Sequence, residues 1–274
     1  MPKEASQKGR VISVGPVRAD GTLGPGNCRT RARLIAGSED LSTFVLVHGS
    51  WAGGWIWSPF VTVLQQAGHT VHAPTLTGLG IDSTNVRADL RLEDHIAVVT
   101  EVLDTIATED VVMVGHSYGG VIATGAALSE SGRSLVRHLV FLDAFIPETG
   151  RSIHQMHPEV EAVFDSLAVA HGGVYAEPAS PTLLGVNEPE VVDWITEGST
   201  LMPMSLGQQP FPATTRSLDD LDKEAVTYIR FTGTDYFKSS MDSAVLRQWR
   251  VREVHGSHFA FVTQPATVAA ELSR

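Results

Sequence analysis

Ser117 stands between glycines in Gly115-His116-Ser117-Tyr118-Gly119-Gly120, where the apolar run Val111 to Val114 gives way to the equally apolar Val121 to Leu128. A short buried strand that turns sharply into a helix at Gly-x-Ser-x-Gly lifts the serine hydroxyl clear of the sheet, as attack on an acyl carbon requires. A hydroxyl is a poor nucleophile at its own pKa, so it needs a base held in one tautomer by a third group. After such a serine the chain order is acid, then histidine. Among eleven histidines, His258 in Val254-His255-Gly256-Ser257-His258-Phe259 follows the last apolar run and is the expected base, with His255 ending the strand. Two carboxylates follow strand-like segments. Asp235, in Phe231-Thr232-Gly233-Thr234-Asp235, is the expected acid, and Asp143, directly after His138 to Leu142, is the alternative.

An acyl-transfer site also needs amide donors for the oxyanion. The residue after the serine, Tyr118, offers one, and Ser50, in the His48-Gly49-Ser50 turn that closes the apolar run Thr43 to Val47, offers the other. Trp51 and His116, their neighbours, are the expected substrate-binding side chains, while Trp55 and Trp57 suit the core. Met156, Met202 and Met204 suit an adaptable apolar cover. His154 with His157, and His255 with His258, are spaced three apart without a third ligand, so no metal site is expected. Gly78-Leu79-Gly80 lacks the glycine pattern of a dinucleotide loop, and no cofactor is expected.

These residues need a scaffold that gathers strand ends. Thr43 to Val47, Thr70 to Ala73, Val111 to Val114, His138 to Leu142, Ala225 to Phe231 and Val251 to Val254 read as short strands. Between them lie helical segments: one with Ser58 as N-cap, Pro59 as first residue and Gly68 past its end; Leu92 to Ala107, apolar at Leu92, Ile96, Val99, Leu103 and Ile106; one near Met241 to Trp249; and one from Ala266. This alternation predicts an α/β fold with a doubly wound, mostly parallel sheet. It stops between residues 147 and 216, which read as an inserted helical lid, so that 42–146 and 217–274 form the core. Residues 1–41, rich in Gly, Pro, Arg and Ser, read as a loosely attached extension, with Val11 to Val14 and Arg31 to Ile35 as short edge strands.

A net charge of −11 argues against nucleic acid or an anionic membrane surface as partner. Cys28 is the only cysteine, which removes an intramolecular disulfide and Cys-x-x-Cys redox chemistry. No stretch has the eighteen or so apolar residues of a membrane span, nor is there a signal-peptide core near Met1, so a cytoplasmic protein is expected.

The blocks Thr43 to Trp51 with Gly54-Trp55-Ile56-Trp57, then Thr75-Leu76-Thr77-Gly78-Leu79-Gly80, then Gly115 to Gly120, resemble the α/β-hydrolase branch that holds plant methyl esterases, hydroxynitrile lyases and bacterial pyrethroid-hydrolase-like esterases. The resemblance covers roughly residues 43 to 270 and is weak in the lid. It implies a Ser117, Asp235, His258 triad and an oxyanion hole from Ser50 and Tyr118. Asp235 sits one residue later than the acid of the plant members, which keeps Asp143 in play. Where the lyases have a threonine after the first motif histidine and a lysine after the catalytic one, this chain has Gly49 and Phe259. The expected activity is that of a serine hydrolase cleaving an ester or lactone of an apolar small molecule through an acyl-enzyme. The alternatives are a lyase using the same side chains as acid and base, and a ligand-binding receptor on the same scaffold.

Overall fold

The structure is a computed structural model that describes residues 41–80 and 86–272. Cys28, the expected edge strands at 11–14 and 31–35, and the extension up to residue 40 lie outside the described residues.

Thr43–Val47 (β1), Val111–His116 (β3) and Val226–Phe231 (β7) are buried at every position, which suits strands covered on both faces. With Thr70–His72 (β2), Val136–Leu142 (β4) and Arg250–Val254 (β8) they form a six-stranded sheet in the order β2-β1-β3-β4-β7-β8. All five pairings are parallel. The fold class expected from the alternation is therefore the one observed. The side chains of β1 alternate between two cores: Val45 and Val47 join one, Phe44 and Leu46 the other. Leu92–Asp104 (α2) and Gly119–Ala127 (α3) cover the first; Ser58–Gln66 (α1), Ala260–Thr263 (α10) and Pro265–Glu271 (α11) cover the second. Register pairs Val47 with Gly115, His116 with Leu142, and Phe231 with Val254, so the segments after β1, β3, β4 and β8 leave the sheet at one edge.

Local details depart from expectation. Trp57, not Ser58, precedes the first residue of α1; the Ser58 hydroxyl donates instead to the Trp55 carbonyl at 2.6 Å. A short helix, Glu130–Leu135 (α4), follows α3 and is capped by the Ser129 hydroxyl accepting from the Gly132 amide at 3.0 Å. The helix expected near 241–249 is Lys238–Leu246 (α9).

Between β4 and β7 lie Ile153–Met156 (α5), Pro158–Ala168 (α6), Tyr175–Ala176 (β5), Pro189–Gly198 (α7), Met202–Pro203 (β6) and Ser205–Gln208 (α8). The small antiparallel β5-β6 pair is an element that helical periodicity does not announce. The insertion is gathered at its neck, where the Gly150 amide donates to Phe211 O and the Phe211 amide to Arg151 O, both at 2.9 Å.

Candidate active site

Ser117 occupies the turn between β3 and α3 with φ 54°, a left-handed conformation that L side chains rarely adopt. The turn presses against the end of β1: a Cβ on Gly119 would lie 2.3 Å from the Val47 carbonyl oxygen, so only glycine fits. The Ser117 carbonyl accepts from the amides of Gly120 (3.1 Å) and Phe145 (3.2 Å), which locks the turn to the segment leaving β4. Four non-glycine residues have positive φ among the described residues, and three of them, Trp51, Ser117 and Asp143, belong to this sheet edge. Stored backbone strain of this kind gathers at functional sites.

His258, four residues past β8, is buried, and its Nδ1 donates to Asp143 Oδ2 at 2.7 Å. The other carboxylate oxygen, Oδ1, accepts from the Phe231 amide at 3.1 Å. The His258 amide donates to Leu184 O in the insertion at 2.9 Å, and the Phe237 ring stacks on the imidazole at 4.8 Å and 5°. Burial disfavours both charged forms, lowering the His258 pKa and raising that of Asp143, the latter opposed by the Phe231 amide and the Arg230 guanidinium. The imidazole is therefore neutral, the form a general base needs, with its Nε2 lone pair free of the proton that Nδ1 carries.

Of the two candidate acids, the structure places the alternative, Asp143, against His258, and not the expected Asp235. The Asp235 side chain is 88% exposed and held by Arg230 Nη2 at 2.6 Å. Arg230 rises from β7 as a nearly buried cation that also binds Glu253 at 3.0 Å, and it draws the carboxylate outward and away from His258. His116, expected at the substrate, is buried; its Nε2–H donates to the His258 carbonyl at 2.9 Å and its ring lies among Trp57, Phe259 and Phe261, so it buttresses His258.

The oxyanion candidates flank Ser117. Among the described residues neither the Ser50 nor the Tyr118 amide donates to a turn or loop carbonyl. Beside Ser50, a Cβ on Gly49 would fall 2.9 Å from Ser117 Cβ. His48 Nδ1 donates to Gly49 O at 2.8 Å, while its Nε2 accepts from the Leu76 amide at 3.0 Å. Burial lowers the His48 pKa to about 4, against the Gly49 carbonyl, which raises it, so the ring is neutral. The Tyr118 hydroxyl meets His95 Nδ1 at 2.9 Å, and His95 Nε2 donates to Thr77 O at 2.8 Å. His95 belongs to no motif in the sequence. Its one signal is position: a polar side chain on the face of α2 that buries Leu92, Val99 and Val102.

Trp51, with φ 62°, stacks on Phe164 of α6 at 4.8 Å and donates from Nε1 to Ala176 O at 3.2 Å, joining the turn after β1 to the insertion. Trp57 is core, 4.3 Å from Phe261, and Trp55 meets Trp194 edge-on at 4.8 Å. Met202 and Met204 are buried in the cluster that also holds Tyr118, Phe145 and Phe237. Among the described residues no group of three or more His, Cys, Asp or Glu side chains is placed to share a cation, and no helix is long and apolar enough to cross a membrane.

A family model described as "Alpha/beta hydrolase family" matches residues 44–271. A carbendazim hydrolyzing esterase of a Nocardioides species is 32% identical over 248 residues, covering 85% of this chain and 99% of the relative. Methylesterase 4 of Arabidopsis thaliana is 38% identical over a match covering 39% of this chain and 40% of the relative. An alpha-hydroxynitrile lyase of the same plant is 37% identical over 39% of this chain and 41% of its own. Among solved structures, an extracellular alpha/beta-hydrolase from a Paenibacillus species superposes with a TM-score of 0.72 at 23% identity, covering 84% of this chain and 97% of that one. The matched span runs from the β1 strand through the last helix and includes every residue of the site, and the chain belongs to the alpha/beta hydrolase family.

Proposed function

We propose that the protein is a serine hydrolase that cleaves a carboxylic ester or lactone of a small apolar molecule. The observation that carries this reading is the His258 Nδ1 to Asp143 contact at 2.7 Å, made at the sheet edge where Ser117 is held in a strained turn. In this reading Asp143 fixes the Nδ1–H tautomer, so Nε2 takes the Ser117 proton as the hydroxyl attacks the carbonyl carbon. The developing oxyanion is held by the amides of Ser50 and Tyr118. The proton passes from His258 to the leaving alcohol, and water, deprotonated by the same imidazole, then releases the acid from the acyl-enzyme. The names of the Nocardioides and Arabidopsis relatives, both esterases, support an ester as the bond cleaved. The apolar side chains of Trp51, Phe164, Phe145 and Phe237 support an apolar substrate, with the insertion as the lid over it.

A lyase acting through the same groups has less support. A side chain at position 49 would strike Ser117, and Phe259 is buried against His116 and His258, so the threonine and lysine that mark lyases have no counterpart here. A fluorophosphonate probe is expected to label Ser117 and abolish hydrolysis of a p-nitrophenyl ester, with Ser117→Ala neither labelled nor active. Labelling at another residue, or turnover by Ser117→Ala, overturns the reading.

A further inference from the structure

We propose that His95 is a positioning residue for this reaction, acting through Tyr118 on one arm of the oxyanion hole and tied to the other arm through the loop after β2. The inference rests on the hydrolase reading above. Four hydrogen bonds carry it. The Tyr118 hydroxyl donates to His95 Nδ1 (2.9 Å), and His95 Nε2 donates to Thr77 O (2.8 Å). One residue earlier in the same loop, the Leu76 amide donates to His48 Nε2 (3.0 Å), and His48 Nδ1 donates to Gly49 O (2.8 Å).

The direction of every bond is forced by its ends. A backbone amide only donates and a carbonyl only accepts, so His48 carries its proton on Nδ1 and His95 on Nε2. His95 Nδ1 is then an acceptor, and the Tyr118 hydroxyl must donate to it. All three side chains are buried, so none has water as a substitute partner.

The far end of the chain bears directly on the oxyanion. Gly49 C=O and Ser50 N–H belong to one planar trans peptide and point in opposite directions. Holding the carbonyl from behind with His48 aims the Ser50 amide the other way. At the near end the Tyr118 amide shares its peptide plane with the Ser117 carbonyl, which the Gly120 and Phe145 amides hold, and the bond from the Tyr118 hydroxyl to His95 adds a tie from the side-chain end of the same residue. Leu76 and Thr77 are consecutive, so the spacing of the two donors is set by a single loop. A donor held in place before the reaction needs no reorganisation when charge develops.

The test uses the full chain, a p-nitrophenyl ester and an aryl trifluoromethyl ketone, which adds to Ser117 as a tetrahedral oxyanion. Tyr118→Phe removes one oxygen and keeps the volume; His95→Phe removes both ring bonds. Each is expected to lower kcat about tenfold, part of the 10² to 10³ that deleting a donor outright costs. KM should move less than twofold, and the inhibition constant of the ketone should weaken by the same factor as kcat/KM. The double variant should be no worse than the poorer single one, because both cut one chain. His95→Gln, which can donate to Thr77 O and accept from Tyr118, should recover most of the rate. Ketone affinity and kcat within twofold of wild type in Tyr118→Phe overturn the proposal, whatever happens to the melting temperature, and so does additivity in the double variant. Because Ser117 labelling in the unaltered protein tests the hydrolase reading separately, labelling with unaffected variants sinks only the role of His95, whereas no labelling sinks the reading beneath it.

Discussion

The carboxyl of Asp143 is aimed by its own backbone: φ 45° at the first residue past β4 turns the side chain back over the sheet edge, toward the Phe231 amide and His258 Nδ1. Asp143→Asn keeps the shape, yet it has one oxygen where the carboxylate accepts from both the Phe231 amide and His258 Nδ1, so its NH2 must face one of those donors, and kcat for an ester should fall by about 10³ to 10⁴. Asp235→Asn, which loses only an exposed contact with Arg230, should stay within about twofold. Steady-state rates of the two variants, side by side, check this, and the reverse order would return the acid to residue 235. Ser117 and His258 could be read from local context, one from its glycines and one from its place after the last strand. The carboxylate that meets His258 could not, because choosing between two strand ends depends on where each side chain turns. The one local hint is Arg230, a cation on a strand buried at every position, five residues before the aspartate it captures.

At the scale of elements, the tight contact between the β3-α3 turn and the end of β1 leaves no margin. Gly119→Ala puts a methyl 2.3 Å from Val47 O and 2.5 Å from His48 O, both backbone atoms that cannot swing aside. A loss of about 3 kcal/mol or more, seen as a melting temperature lower by roughly 6 to 12 °C, is expected in a thermal scan. Trp51→Ala removes the stacking on Phe164 and the bond to Ala176 O, loosening the insertion where it meets the turn after β1. Its expected signature is a severalfold rise in KM for bulky esters with a smaller effect on a short acetyl ester, measured as paired substrate series. The strands and α2 were legible because burial on two faces, or on one, writes a period into the chain. The β5-β6 pair was not: two-residue strands have no period, and their partner is set by how the insertion folds back on itself.

For the molecule as a whole, buried neutral imidazoles shape the response to acid. Burial lowers the pKa of His48 and of His95 from 6.5 to about 4, and that of His116 well below 6.5. The unfolded chain takes up these protons as pH falls below 6.5 while the folded protein does not, so stability is complete above that value and declines toward pH 4. His48 and His95 each contribute on the order of a few kcal/mol to that decline. Urea midpoints should fall steadily from pH 7 to pH 4, with a shallower slope in His95→Gln; a flat profile would contradict buried neutral rings. The neck at Gly150, Arg151 and Phe211 has a different consequence. A segment that leaves and rejoins the core at one point can be exchanged during evolution like a cassette, altering substrate range without disturbing the sheet. The hydrogen bond from the His258 amide to Leu184 O limits that freedom: any replacement must bring its own acceptor to the same place, so turnover and substrate choice are inherited together.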